Sequence, residues 1–386
     1  MKTKSYFLFT ALSLFTAKVF AQSNEDVVNI LQKKGLLTQR EADSLRSDYS
    51  VKQEQNKKNQ TLFPIQAGRG VQISGYSQVR FQSLQEADKP DGFDIRRARL
   101  DIRGSINKVW EYRLMTDFAS SPKLIDAFVS FKPYDFLKIT AGQFYVPFSL
   151  ENLTPDRQLE FIDRSQVVNA LVSRDKDVIG NNNGRDIGIQ VSGNVWKRND
   201  RFIFDYYLGA FNGQGINVVD LNESKDIAGR LVAHPFHFFD IGASYYNGYD
   251  AWGSPSKNQR RVRSGAEVAF HYHSWSVKAE YILGQDGKTK INGKTEDLVR
   301  AGWYTQATWF IFPKQLQVVL RYDTYDPNTF KAPESQPQND ITSWYTGGLN
   351  YFINEWAKVQ VSYSLRKEQG PQINNDVISA QFQVSF

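Results

Sequence analysis

From about residue 70 to its last residue, the chain alternates apolar and polar positions with a period of two. The final segment shows it most plainly. Ile378, Ala380, Phe382, Val384 and Phe386 share one parity, and Ser379, Gln381, Gln383 and Ser385 share the other. A strand sends successive side chains to opposite faces, so this segment is a strand with one oily and one wet face. The same reading predicts sixteen strands, near 71–83, 93–106, 109–119, 123–132, 137–146, 185–194, 201–211, 225–233, 238–248, 260–272, 275–284, 299–311, 315–325, 342–352, 356–365 and 376–386. Each has about the ten residues that a tilted strand needs to cross a bilayer.

The connections between these strands fall into two kinds. Those after even-numbered strands are short, as at Asn107-Lys108, His273-Ser274, Phe312-Pro313-Lys314 and Ile353-Asn354-Glu355. The opposite ends carry long polar segments, at 147–184, 212–224, 249–259, 285–298, 326–341 and 366–375. The segments 84–92 and 195–200 and the link at Ser120-Ser121 depart from that sorting. One tight rim and one loopy rim is the signature of an outer-membrane barrel, with short periplasmic turns and longer outer loops.

The charged faces decide which side is wet. In 93–106, Ala98, Leu100, Ile102 and Ile106 oppose Arg97, Arg99, Asp101 and Arg103. In 315–325, Leu316, Val318, Leu320 and Tyr322 oppose Gln317, Arg321 and Asp323. An Arg or Lys facing lipid at mid-membrane costs about 2–4 kcal/mol, so the charges must point into an aqueous lumen. Trp110, Trp275 and Trp356 begin strands just after short turns, where an indole favours the membrane interface. The fold class expected is therefore all-β, a transmembrane antiparallel barrel of about sixteen strands over residues 69–386, preceded by a short helical segment.

The beginning of the chain reads differently. Lys2 and Lys4 precede an apolar run from Tyr6 to Phe15, and Val19 and Ala21 fit a cleavage site before Gln22. Residues 1–21 are thus expected to be a secretory signal peptide. Residues 22–68 are expected to be a periplasmic helical segment and linker. Ser23 with Asp26 and Thr38 with Glu41 have capping-box spacing, and Gly35 separates the two turns of pattern. Residues 47–68 are rich in Lys, Gln and Asn and read as a flexible connection. The segment is either an untethered tail or a short assembly element.

Composition narrows the function. The mean hydropathy of −0.49 suits a barrel whose strands are half wet. Aromatic residues make up 14% of the chain, enough for interfacial girdles. There is no cysteine, which excludes disulfides and thiolate metal sites. The formal charge is +6, but Lys2, Lys4 and Lys18 leave with the signal and halve it. A surplus that small does not point to nucleic acid. Any anion preference must come from where the arginines sit.

Two constellations stand out. Arg97, Arg99 and Arg103 form a cationic row at alternate positions of one strand, about 6.6–6.8 Å apart. In a narrow aqueous pore they favour anions; the alternative is that they pair with Asp101, Glu111 and Asp117 and brace the wall. The segment Pro147 to Gly184 is too long for a plain turn and carries Glu151, Arg157, Glu160, Asp163, Arg164, Arg174 and Lys176. Folded inward it would narrow the lumen; folded outward it would cover the rim or a neighbouring subunit. Tyr206, Tyr207, Tyr245 and Tyr246 could form a sugar-stacking track or a lipid-facing girdle. The four histidines offer no third ligand for a metal, and no catalytic elbow, phosphate loop or dinucleotide fingerprint is present. No catalytic residue, cofactor or metal site is expected.

Several stretches resemble one family closely. They are Phe93-Asp94-Ile95-Arg96-Arg97-Ala98-Arg99-Leu100, Gly142-Gln143-Phe144-Tyr145-Val146-Pro147-Phe148-Ser149-Leu150-Glu151 and Phe161-Ile162-Asp163-Arg164-Ser165. Arg185-Asp186-Ile187-Gly188, Gly209-Ala210-Phe211-Asn212-Gly213, Ala228-Gly229-Arg230-Leu231 and Gly347-Gly348-Leu349-Asn350-Tyr351-Phe352 add to them. The chain is similar to the phosphate-selective porin O and P family from about residue 70 to 386. The resemblance implies a sixteen-stranded homotrimeric barrel in the outer membrane of a Gram-negative-type bacterium, in contact with outer-membrane lipid, with its third outer loop inside. It also implies an arginine- and lysine-lined path for small anionic solutes of the phosphate or polyphosphate class. Arg97, Arg99 and Arg164 fall in matching motifs, and Arg103, Arg157, Arg174 and Lys176 complete the expected pore-lining set. The expected function is a porin for passive diffusion of small hydrophilic solutes, anions before others. A sugar-selective porin and a structural or adhesive barrel are the alternatives, with a secreted all-β enzyme behind them.

Overall fold

The computed structural model describes residues 32–34, 65–67, 70–86, 90–172, 174, 183–250, 259–291, 294–329, 341–370 and 372–386. Two units divide at Leu62/Phe63. In the first, Gln32 and Lys33 are helical; the rest of the expected helical segment, like the expected signal peptide, lies outside the described residues.

The second unit is a ring of sixteen antiparallel strands, β2 to β17, entered by a short strand β1 (Ile65–Ala67). The strands are β2 (Val71–Leu84), β3 (Gly92–Ser105), β4 (Trp110–Asp117), β5 (Lys123–Tyr134), β6 (Leu137–Tyr145) and β7 (Arg185–Arg198). There follow β8 (Arg201–Phe211), β9 (Asp226–Phe236), β10 (Phe239–Asp250), β11 (Gln259–Tyr272), β12 (Trp275–Ile291) and β13 (Lys294–Phe312). The last four are β14 (Leu316–Asp326), β15 (Thr342–Phe352), β16 (Ala357–Glu368) and β17 (Val377–Ser385). Each pairs with the next in sequence, and β17 returns to β2 through Val377↔Leu84 to Ser385↔Tyr76. The Phe386 and Gly75 backbones then exchange hydrogen bonds of 2.8 and 2.9 Å. Beyond that point β1 takes over the same edge of β2, with Ile65 opposite Ile73. Among the described residues the ring leaves no long open edge, which a membrane-embedded sheet cannot tolerate.

Parity sorts the side chains as the sequence pattern requires. Leu114, Val129, Ile189, Leu208, Ile241, Leu320, Leu349 and Phe382 are exposed on the outer surface. Their neighbours Asp117, Ser130, Gln190, Lys278, Arg321 and Gln381 are buried inside. Trp110, Trp275 and Trp356 are exposed near the tight-turn rim, and the Trp275 ring stacks on Trp309 at 5.0 Å. Of the tyrosines named above, Tyr245 is exposed outside, whereas Tyr207 and Tyr246 face inward under Arg230 and Arg261.

Two expected connections are shorter than the pattern suggests. Residues 195–198 belong to β7, and the turn is only Asn199-Asp200. Both have left-handed φ, 49° and 60°, which Asn and Asp tolerate and a two-residue hairpin turn requires. The expected outer loop at 285–298 is largely strand: β12 runs on to Ile291 and β13 starts at Lys294. Their backbones stay paired from Thr289↔Glu296 to Ile291↔Lys294, so ladder hydrogen bonds override a polar composition that resembles a loop.

Candidate functional site

The segment between β6 and β7 folds into the lumen. It carries helix α1 (Leu150–Leu153), a 3₁₀ turn (Asp156–Gln158) and helix α2 (Gln166–Leu171). Phe148, Val167, Val168 and Leu171 are almost fully buried, packed with Phe144, Ile282 and Tyr304 in one apolar cluster. An apolar core inside a wet barrel needs room at the wall. Gly284 and Gly302 supply it: a Cβ on Gly284 would stand 2.9 Å from Leu171, and one on Gly302 3.0 Å from Val167.

Polar contacts then fix the loop to both sides of the barrel. On one side lie β2 and β3. Arg97 is buried, bonds Gln78 at 2.9 Å and lies 3.3 Å from the Asp156 carboxylate. Arg99 is buried between Asp117 at 2.8 Å and Asp156 at 2.5 Å. Arg164, from the loop itself, also binds Asp156, and Arg174 stands 4.0 Å from it. Burial alone would raise the pKa of this loop carboxylate. The guanidiniums of Arg164, Arg97, Arg99 and Arg174 outweigh burial and hold it well below the usual range. A register shift between Gln78 and Val79 marks a bulge at Arg96, which brings Arg96 to Asp163 at 2.8 Å. The motifs Phe93 to Leu100 and Phe161 to Ser165 are therefore in direct contact.

On the other side lie β11 to β17. The Glu280 carboxylate accepts the Leu150 and Glu151 backbone N–H groups at 3.0 and 2.7 Å, and the Tyr304 hydroxyl at 2.6 Å. Asp323 accepts the backbone N–H of Gln166 at 3.3 Å, its side-chain amide at 2.7 Å and Arg321 at 3.1 Å. At the other end of α2, Arg300 and Arg263 donate to the carbonyls of Ala170 and Leu171 at 3.1 Å each. Acid meets the N-terminal end of α2 and base its C-terminal end, the order that a helix dipole favours. Lys278 binds Glu160 at 2.6 Å, and Lys358 donates to the Leu159 carbonyl at 2.9 Å.

Two recesses between the loop and the tight-turn rim are lined by described residues. The larger, about 510 Å³, is lined by inward-facing residues of β4 to β9, among them Arg113, Phe128, Lys138, Gln190, Tyr207 and Arg230. Pro147 and Leu153 of the loop border it, with Tyr145 of β6. Arg185 lies over the Tyr145 ring at 3.6 Å and Arg174 at 5.6 Å, so the arginine cluster stands just behind this wall. The smaller recess, about 410 Å³, is lined by Arg157, Lys358, Asn350, Gln383 and Trp356.

The expected pore-lining residues thus separate. Arg97, Arg99, Arg164 and Arg174 come together, buried around Asp156. Arg157 is exposed in the smaller recess and Arg103 is exposed near the tight-turn rim. Lys176 lies outside the described residues. Arg113, Lys138 and Arg230 were not singled out by sequence, although their strand parity placed them inside. Sequence alone did not show which wall residues border the recess beneath the loop. Asp156, Glu280 and Asp323 were missed as anchors because an acid in a loop or on a wet face looks like solvent exposure. Among the described residues no group of His, Cys, Asp and Glu is arranged to hold a metal ion.

Comparison with known proteins fits this geometry. An anion-selective porin from Comamonas acidovorans superposes with a TM-score of 0.60 at 13% identity, over 82% of this chain and 99% of that one. OprB of Pseudomonas putida gives 0.60 at 12%, over 82% and 94%. A trimer form of OmpT, an outer membrane protein of Vibrio cholerae, gives 0.56 at 11%, over 82% and 99%. At such identities these likenesses speak for the fold alone. No match is found among curated proteins. The model of the family described as phosphate-selective porin O and P matches residues 66–386, the whole ring of strands. The chain therefore belongs to that family and is an outer-membrane porin, a channel rather than an enzyme.

Proposed function

We propose that this porin passes small hydrophilic anions in preference to cations, by passive diffusion beside the inturned loop and along the β4–β9 wall. One observation carries the reading. Where the loop meets β2 to β7, the guanidiniums of Arg80, Arg96, Arg97, Arg99, Arg113, Arg164, Arg174 and Arg185 are joined, among the described residues, to six carboxylates, Asp94, Asp101, Asp117, Asp126, Asp156 and Asp163. The surplus positive charge sits behind the recess, in a low-dielectric wall where its field is weakly screened. Arg113 and Lys138 are part-exposed in the recess; they pair with Asp101 and Asp126 and with Glu111, and keep N–H donors over for a passing anion. Guanidinium forks suit phosphate oxygens, so phosphate or polyphosphate is the solute class proposed, in keeping with the family's description.

The assembly proposed is a homotrimer in outer-membrane lipid, reached after residues 1–21 are cleaved as a signal. The test is reversal potential in a potassium chloride gradient across a planar bilayer, with and without phosphate. An anion-selective potential and a current reduced by phosphate are expected. A cation-selective potential would overturn the reading. A sugar-selective pore is the second reading, favoured by Phe128, Tyr145 and Tyr207 in the recess. Block of the current by sugars rather than phosphate would support it, and absence of any conductance would leave a structural barrel.

A further inference from the structure

We propose that the place held by the Asp156 carboxylate is an oxyanion seat, and that Asp156 sets the channel's charge discrimination by filling it. Both carboxylate oxygens are used. One takes Arg99 at 2.5 Å; the other takes Arg164, with Arg97 at 3.3 Å and Arg174 at 4.0 Å. The group is completely buried. Four guanidiniums converging on two oxygens form an arrangement that recognises a carboxylate or phosphate from solution as readily as one from the chain. Here the anion is tethered. It comes from a 3₁₀ turn entered through Pro155, whose fixed φ of −56° presets the approach.

Apart from the Asp117 carboxylate on Arg99, the other ties of the cage come from neutral groups. Arg164 Nε donates to the Glu151 carbonyl at 3.0 Å, Arg174 donates to Asn152 Oδ1 at 2.8 Å, and Arg97 donates to Gln78 at 2.9 Å. Those contacts hold the guanidiniums in place without neutralising them. Of the charge-balancing groups in the cage, Asp156 lies within 4.0 Å of all four arginines, while Asp117 meets Arg99 alone. One side chain therefore controls how much positive charge the wall beside the recess presents. The wild-type seat is full, which makes the pore milder towards anions than its arginine content suggests.

This inference rests on the anion-preferring reading above, and the experiment separates the two. The full-length protein and its Asp156→Asn and Asp156→Ala variants are reconstituted in planar bilayers. Removing the charge is expected to raise the chloride-to-potassium permeability ratio roughly twofold or more. In the Ala variant, inorganic phosphate is expected to reduce the current at concentrations that leave the parent unaffected, because phosphate now occupies the vacated seat. Should the Ala variant fail to form the barrel, phosphate present during refolding in detergent is expected to restore it. Unchanged ratios in both variants, or refolding that phosphate does not restore, would overturn the inference. An anion-selective parent with unaltered variants sinks the seat alone. A cation-selective parent whose Asn variant moves toward anions sinks the anion-preferring reading and leaves the seat.

Discussion

The inturned loop is held on two sides by opposite uses of charge. Toward β2 and β3, side chains meet side chains: guanidiniums gather on a single loop carboxylate, and positive charge is left over. Toward β11 to β14, side chains meet backbone, beside the ion pairs Lys278–Glu160 and Arg321–Glu151. Glu280 and Asp323 take peptide N–H groups at the starts of α1 and α2, and Arg263 and Arg300 take carbonyls at the end of α2. Peptide groups are dipoles without net charge, so a wall carboxylate can hold them without recruiting a cation. On that side Glu151, Glu160, Glu280, Asp286 and Asp323 nearly match Arg263, Lys278, Arg300 and Arg321 in number. The contrast teaches that one loop does two jobs. Its backbone-anchored side fixes position, and under the anion-preferring proposal its arginine side supplies the field a solute feels.

Removing the loop abolishes the distinction and has the largest expected effect. Deleting about ten residues within 155–175 is expected to roughly double single-channel conductance, because the packed loop occupies lumen that water and ions would otherwise fill. Conductance at the parental value would mean that the loop does not limit flow.

Arg97→Ala with Arg99→Ala tests the arginine side. The pair leaves Asp117 without an arginine partner and Asp156 with Arg164 and the more distant Arg174. Breaking a buried ion pair from one side costs about 3–5 kcal/mol, so unfolding in denaturant should shift visibly. The anion-to-cation permeability ratio should fall as well. A stability loss with an unchanged ratio would mean these arginines only brace the wall.

Glu280→Ala tests the opposite side and is expected to separate the two readouts. It strands two backbone donors and the Tyr304 hydroxyl, each costing about 1–3 kcal/mol when buried without a partner. Partial rearrangement of α1 will recover some of that. Stability should therefore fall, with noisier open-channel current, while the permeability ratio stays near the parent's. A ratio that moved as far as in the Arg97/Arg99 variant would erase the division of labour.

Much of this was legible before the fold was known, because a lipid outside and water inside write a period of two into every strand. The strand count, the two rims and the inward arginines all follow from that. The loop's path left a subtler trace. Tyr281-Ile282-Leu283 interrupts the alternation, and Ile282 is fully buried on the face that should be wet. An apolar residue on a lumenal face implies that something apolar covers it, here α2 with Val167, Val168 and Leu171. The partners Glu280 and Asp323 left no such trace. What they bind is backbone, and backbone N–H groups are the same in every sequence. Nor could the sequence show that Arg97 and Arg99 would face a carboxylate about sixty residues away rather than open solvent, since strand parity gives a side and not a partner.

The finest division of labour lies within α1 itself, and it carries the smallest expected effect. Its first N–H groups are shared between two acceptors: Glu280 across the lumen takes Leu150 and Glu151, and Ser149 Oγ takes Asn152 at 3.2 Å. Ser149 makes that bond from a φ of 71° and ψ of 132°, a conformation that L residues avoid. Backbone strain of this kind costs about 1–3 kcal/mol, whereas a serine cap contributes about 1. Ser149→Ala keeps the strain and loses the cap, so it should destabilise by about 1 kcal/mol. Ser149→Gly loses the same cap but relieves the strain, set against the greater freedom glycine gains when unfolded. It should be more stable than the Ala variant by about 1 kcal/mol, measured by denaturant unfolding in detergent. A glycine variant weaker than alanine would show that the backbone at residue 149 holds too little strain for glycine to relieve.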